Sequence, residues 1–248
     1  LVGCDDGFMP DLDDLAAKIT PRTKALLLNS PNNPSGVIYS HAVVRALADV
    51  LAREGARHGA EIAIVSDEPY RHIVFDGAVV PFPQAHYPHV ITATSHSKDL
   101  ALPGERIGFA AVSPRMPEAT LAVDALIFAN RVLGFVNAPA LMQRAAAALQ
   151  GVAVDVSGYR RKRDLVHEGL TGAGYELVKP QGAFYAFPKS PVEDEMRLVD
   201  ALMKRGVLVV PGRGFGMPGY FRISFCMEES VLEGAMPAFA EARRELVD

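Results

Sequence analysis

Three short stretches of the chain end in residues able to do chemistry: Asn29 to Ser35 in NSPNNPS, Asp67 to Tyr70 in DEPY, and Ser95 to Lys98 in SHSK. Together they supply a carboxylate, a phenol, an amine, hydroxyls and amides, the parts of an acid–base and nucleophilic site. A fourth feature is Arg222, set inside the apolar strand pattern FRISF, where an unpaired guanidinium is expensive to bury. Strand alternation also permits an outward-facing arginine there. Polar loops after strands account for any one of the three stretches. Three in succession, with an Asp and a Lys among them, point to a single site.

The elements that must position these groups are buried strands. KALLLN, EIAIVSD and HVITAT each run directly into one of the polar stretches, and IGFAAV after Arg106 reads as a fourth strand. In open α/β sheets ligands bind beyond the carboxyl ends of the strands, so the three sets should converge. Helical spacing places Leu12, Leu15, Ala16 and Ile19 on one face with Asp11 as cap, and Val43, Leu47, Val50 and Leu51 on another between Ser40 and a Gly59 cap. Alternating strands and helices predict a parallel α/β sheet covered on both faces. The second half differs. Helices near 116–133, 138–150, 156–172, 194–205 and 229–246 alternate with short strands at YELV, AFYAF, VLVV and YFRISF, a smaller α+β domain. Prolines and the end of the strand series set a boundary near Ser113–Pro117, dividing residues 1–115 from 116–248.

Composition narrows the class. Hydrophobic residues at 49% and charged residues at 22% of 248 describe a folded body rather than a disordered or fibrous one. Lys+Arg 25 against Asp+Glu 29 leaves a net charge of −4, and the one basic run, Arg160 to Arg163, reads as a helix face, so nucleic acid is not expected as a partner. Two cysteines, Cys4 and Cys226, make neither a disulfide framework nor a cysteine metal site and suit a reducing cytosol. No apolar run spans a bilayer and no signal-peptide layout opens the chain, so no membrane partner is expected. GFGMPG at 214–219 spells a dinucleotide-type glycine pattern but leads into a strand and contains Pro218, so it reads as a loop. His86 and His89 have metal-like spacing without a carboxylate close by in sequence, and no metal is expected. Adjacent Ser95 and His96 point apart, which leaves a serine-hydrolase reading without support.

The segment SHSKDLALPGERIGF resembles the lysine signature of the class I/II pyridoxal-phosphate aminotransferases: a serine, a second small hydroxyl residue, the Schiff-base lysine and a downstream Arg-apolar-Gly. NNPSG, SDEPY and FRISF are similar to that family's Asn-Pro-[Ser/Thr]-Gly, Asp-x-x-Tyr and C-terminal arginine motifs. They stand in the right order over essentially the whole chain, with His96 a mild departure between the two serines. The resemblance implies an α/β protein of fold type I: a partial, mainly parallel large-domain sheet over 1–115 and a smaller α+β domain over 116–248. It implies pyridoxal 5'-phosphate as cofactor, with Lys98, Asp67 and Tyr70 as the catalytic set. Lys98 would form the Schiff base and later carry a proton, and Asp67 would face the ring nitrogen. Tyr70 and Asn33 would donate to the phenolic oxygen, and Ser95, Ser97 and Arg106 would hold the phosphate. Arg222, with Asn33, would bind the substrate α-carboxylate, and a cis Asn33–Pro34 bond would aim Asn33.

The activity implied is transfer of an amino group between an amino acid and a 2-oxo acid. A carbon–sulfur β-lyase shares the same lysine and aspartate and is not separated by these motifs. A non-catalytic product is the reading from another class. The chain opens at Leu1 inside folded-looking sequence and carries no glycine-rich phosphate loop ahead of it. The expectation is therefore an N-terminally truncated enzyme with a weak hold on its cofactor, cytoplasmic, and a homodimer in its full-length form. Side-chain preference is not readable from these residues.

Overall fold

The local signals explain most of the architecture of the computed structural model, which describes residues 1–247. Asp11 caps α1 (Leu12–Lys18) by accepting from the Asp13 and Asp14 amides. Ser40 caps α2 (His41–His58) through the Val43 amide, and Gly59 ends it in the left-handed conformation, φ 61°. Strands β1 (Ala25–Asn29), β2 (Ala63–Asp67), β3 (Val90–Ser95) and β4 (Gly108–Val112) form a sheet in that order. β1, β2 and β3 run parallel, and their register sets Asn29 beside Asp67 and Asp67 beside Ala93. The polar ends of three strands therefore lie along one edge of the sheet, as the sequence predicts.

Two expectations about this sheet are corrected. β4 is antiparallel to β3, with Gly108 opposite Ser95. The link between them holds only the four-residue α3 (His96–Asp99) and one 3₁₀ turn, Pro103–Glu105, so the chain doubles back without the crossover helix that a parallel neighbour needs. Nor are both faces covered. α1 and α2 bury Leu15, Ile19, Leu47, Val50 and Leu51 against Leu28, Ile64 and Val90 on one face. On the other, Leu27 is 72% exposed and its register partners Val65, Ile91 and Val112 are only partly buried.

After β4 come α4 (Ala119–Val132), α5 (Ala140–Ala148) and α6 (Val156–Gly172), of which α4 buries no side chain. β5 (Tyr185–Ala186), β6 (Val210–Pro211) and β7 (Phe221–Ser224) form a second, antiparallel sheet in the order β5-β7-β6, flanked by α7 (Glu195–Lys204) and α8 (Glu229–Val247). YELV, expected as a strand, carries none. Its Tyr175 ring is instead buried between Phe221 and Phe239, and its hydroxyl donates to the Phe239 carbonyl at 2.9 Å. VLVV contributes only Val210. The core of this half recruits Tyr70, Ile73 and Phe75 from the loop after β2, packing them with Phe184, Tyr185 and Phe225. No helix among the described residues is long and apolar enough to cross a membrane.

The glycine-patterned segment is a loop, as expected: Gly212–Phe215 makes a 3₁₀ turn and β7 follows. One buried carboxylate holds it. Glu195 accepts from Arg213 Nε at 2.7 Å, from the Arg213 amide at 3.2 Å and from the Gly219 amide at 3.1 Å. The Arg213 side chain, ahead of those amides, brings the Glu195 carboxyl down to about 2. Because the folded carboxyl is the stronger acid, its contribution is complete above the ordinary glutamate range and is lost as pH falls towards that value. Glu195→Gln is expected to cost about 2 kcal/mol at neutral pH through weakened charge-assisted bonds. Its denaturation midpoint should converge on that of the parent as a titration series approaches pH 2.

Candidate active site

The site is built where the first sheet's carboxyl ends meet the second sheet. Asn29 ends β1 with its amide between two neighbours: Nδ2 donates to Asp67 Oδ2 at 3.1 Å and to the Asp67 carbonyl at 3.0 Å, while Oδ1 accepts from the Asn33 amide at 2.7 Å. Asn33 sits in a turn whose two proline bonds, Ser30–Pro31 and Asn33–Pro34, are both cis. The second of these is the bond for which a cis form is expected. Asn32 Oδ1 closes the turn by accepting from the Ser35 amide and hydroxyl. Across the gap, Arg222 Nη1 on β7 donates to Asn33 Oδ1 at 2.9 Å. That bond makes Oδ1 the acceptor and leaves Asn33 Nδ2 as the donor end of the amide.

Asp67 is half-buried. Burial first, then the neighbouring Glu68 carboxylate, push its carboxyl above the ordinary aspartate range, and the Asn29 amide pulls partly back. Such a carboxylate favours a cationic partner. The loop that follows is held rigidly by Glu68, which accepts from the Ser66 hydroxyl at 2.6 Å and from Arg71 Nε, while the Arg71 fork also reaches the Val80 and Pro81 carbonyls. This places Tyr70 on the core side, its hydroxyl 3.2 Å from that of Tyr185. Burial above all, and then the bond to Tyr185, raise the Tyr70 phenol, which stays a neutral donor.

Lys98 lies in α3 with its amine 5.4 Å from the centre of the Phe184 ring and without an ion-pair partner among the described residues. Ser95 and Ser97 flank it, half-buried. His96 turns away to Asp99, 3.2 Å from its carboxylate. Arg106 is placed differently from these. It is exposed, in the left-handed conformation at φ 51°, with Nη1 donating to the Pro103 carbonyl at 2.9 Å, and no hydrogen bond joins it to Ser95 or Ser97. Asn33, Asp67 and Arg222 are thus linked through Asn29, and Tyr70 joins them through Tyr185, whose ring lies 4.6 Å from the Arg222 guanidinium.

Sequence reasoning missed Tyr185, Phe184 and Phe215 as site residues, because AFYAF and GFGMPG read as core strand and loop. Asn29 enters the sequence only as the start of a polar stretch. A strand-ending Asn one register step from a strand-ending Asp is the signal that could have found it.

The residues present suit pyridoxal phosphate: a carboxylate with raised proton affinity, an amine beside an aromatic ring, a neutral phenol, an amide donor and paired hydroxyls. Arg222 Nε, buried and without a partner among the described residues, adds a waiting donor for a carboxylate.

The chain is similar to known proteins in sequence and in fold. The sequence profile of the family described as Aminotransferase class I and II matches residues 2–239. The probable aspartate/prephenate aminotransferase of Thermus aquaticus is 36% identical over 244 residues, 96% of this chain and 61% of that protein. The aspartate/prephenate aminotransferase of Thermus thermophilus is 36% identical over 241 residues, 95% of this chain and 60% of that one. Among solved structures, an amino transferase from Eubacterium rectale superimposes with a TM-score of 0.95 at 40% identity, covering 98% of this chain and 62% of that chain. Aspartate aminotransferase from Thermus thermophilus with maleate gives 0.77 at 34% identity, over 95% and 61%. The chain spans about three fifths of the length of the curated relatives it matches. With a family match over nearly all of its length and a fold type I body, the chain belongs to the class I and II aminotransferase family.

Proposed function

We propose that the chain serves an aminotransferase that moves an amino group between an amino acid and a 2-oxo acid with pyridoxal phosphate, residues 1–115 and 116–248 forming its two domains. The observation that carries this is the unbroken chain of hydrogen bonds Asp67–Asn29–Asn33–Arg222, which ties a carboxylate suited to a ring nitrogen to a guanidinium suited to a substrate carboxylate. When bound, the cofactor supplies an electron sink for the substrate's α-carbon. Lys98 Nζ would anchor it and hold or release the proton at that carbon, the role of a positioned general base and acid. Asp67 would keep the ring nitrogen protonated, and Tyr70 and Asn33 Nδ2 would donate to the phenolic oxygen. Ser95 and Ser97 would hold the phosphate together with Arg106, which would exchange the Pro103 carbonyl for it. Arg222 would orient the substrate by its α-carboxylate.

Borohydride reduction with pyridoxal phosphate is expected to fix a label on Lys98, seen by peptide mass mapping, and Lys98→Ala to abolish it. A label at another lysine removes Lys98 from this role. Formation of an amino acid only when a 2-oxo acid is supplied distinguishes amino transfer from a β-lyase, which releases pyruvate, ammonia and thiol.

Asp67→Asn should separate function from stability. Turnover is expected to fall by on the order of 3 kcal/mol in barrier, because an amide cannot hold the ring nitrogen protonated. Stability without cofactor should move the other way. The folded carboxyl holds its proton to higher pH than the unfolded one, so the folded state binds more protons between the two values and loses stability as pH rises through them. In thermal scans from about pH 4 to 7, the variant should lose less of its midpoint than the parent. Equal losses would contradict the raised value.

A further inference from the structure

Three arginines stand over aromatic rings among the described residues, and two of them are neutralised. Arg71 lies 3.8 Å from the Phe82 ring and is bonded to Glu68. Arg163 lies 4.9 Å from Phe75 and is paired with Asp76 and Asp164. Arg222 is the exception. Its guanidinium lies 4.6 Å from the Tyr185 ring centre and 4.9 Å from that of Phe215, and no carboxylate among the described residues reaches it. Its one hydrogen bond among the described residues is from Nη1 to Asn33 Oδ1, and Nε is buried without a partner among them.

The two rings come from different places for identifiable reasons. Tyr185 on β5 is paired with Ser224 on β7, which sets it diagonal to Arg222 on the same face of the sheet. Phe215 arrives from the 3₁₀ turn of the glycine-patterned loop, pinned by Glu195 at both ends and packed edge-on against Phe187 at 5.8 Å. Aromatic faces attract a cation without offering acceptors in its plane. They therefore offset part of the desolvation of Arg222 while leaving its N–H groups free, whereas a carboxylate partner would compete with any bound anion.

We propose that Tyr185 and Phe215 are positioning residues that clamp Arg222 as an un-neutralised carboxylate receptor, so that the loop Gly212–Gly219 belongs to the substrate site. This rests on the assignment of Arg222 to the substrate carboxylate. The Tyr185 hydroxyl, at 3.2 Å from that of Tyr70, makes the same clamp continuous with the cofactor side.

Calorimetric titration of the full chain, loaded with pyridoxal phosphate, with maleate as an unreactive dicarboxylate tests the clamp, and cofactor uptake followed by absorbance is read in parallel. Phe215→Leu and Tyr185→Leu should each weaken maleate binding by about fivefold to tenfold with cofactor uptake retained. Phe215→Tyr and Tyr185→Phe, which keep the rings, should stay close to the parent. Arg222→Gln is the control for the underlying assignment and should abolish binding. If it does so while both leucine variants bind maleate like the parent, the clamp is overturned and the Arg222 assignment stands. If Arg222→Gln binds like the parent, or the parent binds no maleate, the assignment fails and the clamp with it. Leucine variants that lose cofactor uptake as well would show a general structural role and overturn the positioning one.

Discussion

The arrangement depends on the side chain of Asn29. One amide donates to both the carboxylate and the carbonyl of Asp67 on the neighbouring strand and accepts from a backbone donor four residues on; a hydroxyl has only one proton to give and a carboxylate none. With Asp67 anchored, the turn at Asn33 has a fixed height above the sheet. With Asn33 anchored, the second sheet has a defined point of approach through Arg222. The parallel register that sets Asn29 beside Asp67 therefore does more than align strands: it spaces the groups at the far side of the gap.

Charge is managed in two ways around this gap. Buried charges that serve the framework, such as Glu195, Glu68 and Arg163, are each met by an opposite charge and by further hydrogen bonds, the condition under which burial is tolerated. Groups that face the gap are left unbalanced. Asp67 sits beside a second carboxylate, and Arg222 is met by two aromatic rings. Unbalanced polar groups in a well-packed surround mark places where a ligand completes the structure.

The strand ends were legible because the short runs ALLL, IAIV and the threonine-interrupted VITAT each pass within a residue or two into a polar stretch, and Asn29, Asp67 and Ser95 stand at the exit into the site. Arg222 stood out because its charge interrupts an apolar context, and Lys98 because it follows a strand end within the signature formed with Ser95, Ser97 and Arg106. The direction of β4 was not legible, since IGFAAV has the same composition whichever way it runs and only the link decides. YELV misled because a tyrosine that buries its ring beside α8 follows the same alternation as one in a sheet. Tyr185 and Phe215 were invisible for a related reason: aromatic residues that flank an arginine are written in the same letters as core. Arg106 matched its motif, yet the left-handed turn at its own position points it to Pro103, a conformation that spacing does not encode.

The bare sheet face and α4 also affect how the chain responds to temperature. Leu27 on that face, Phe109 on the edge strand β4 and the apolar side chains of α4, including Leu121, Ile127 and Phe128, are already hydrated in the folded state. Unfolding cannot expose them again. The heat-capacity increment of unfolding arises from newly wetted apolar surface, so it falls short of what a chain of this length ordinarily shows. The curve of stability against temperature is correspondingly shallow, and cooling below its maximum costs this chain less than it costs a protein whose sheet is buried on both sides.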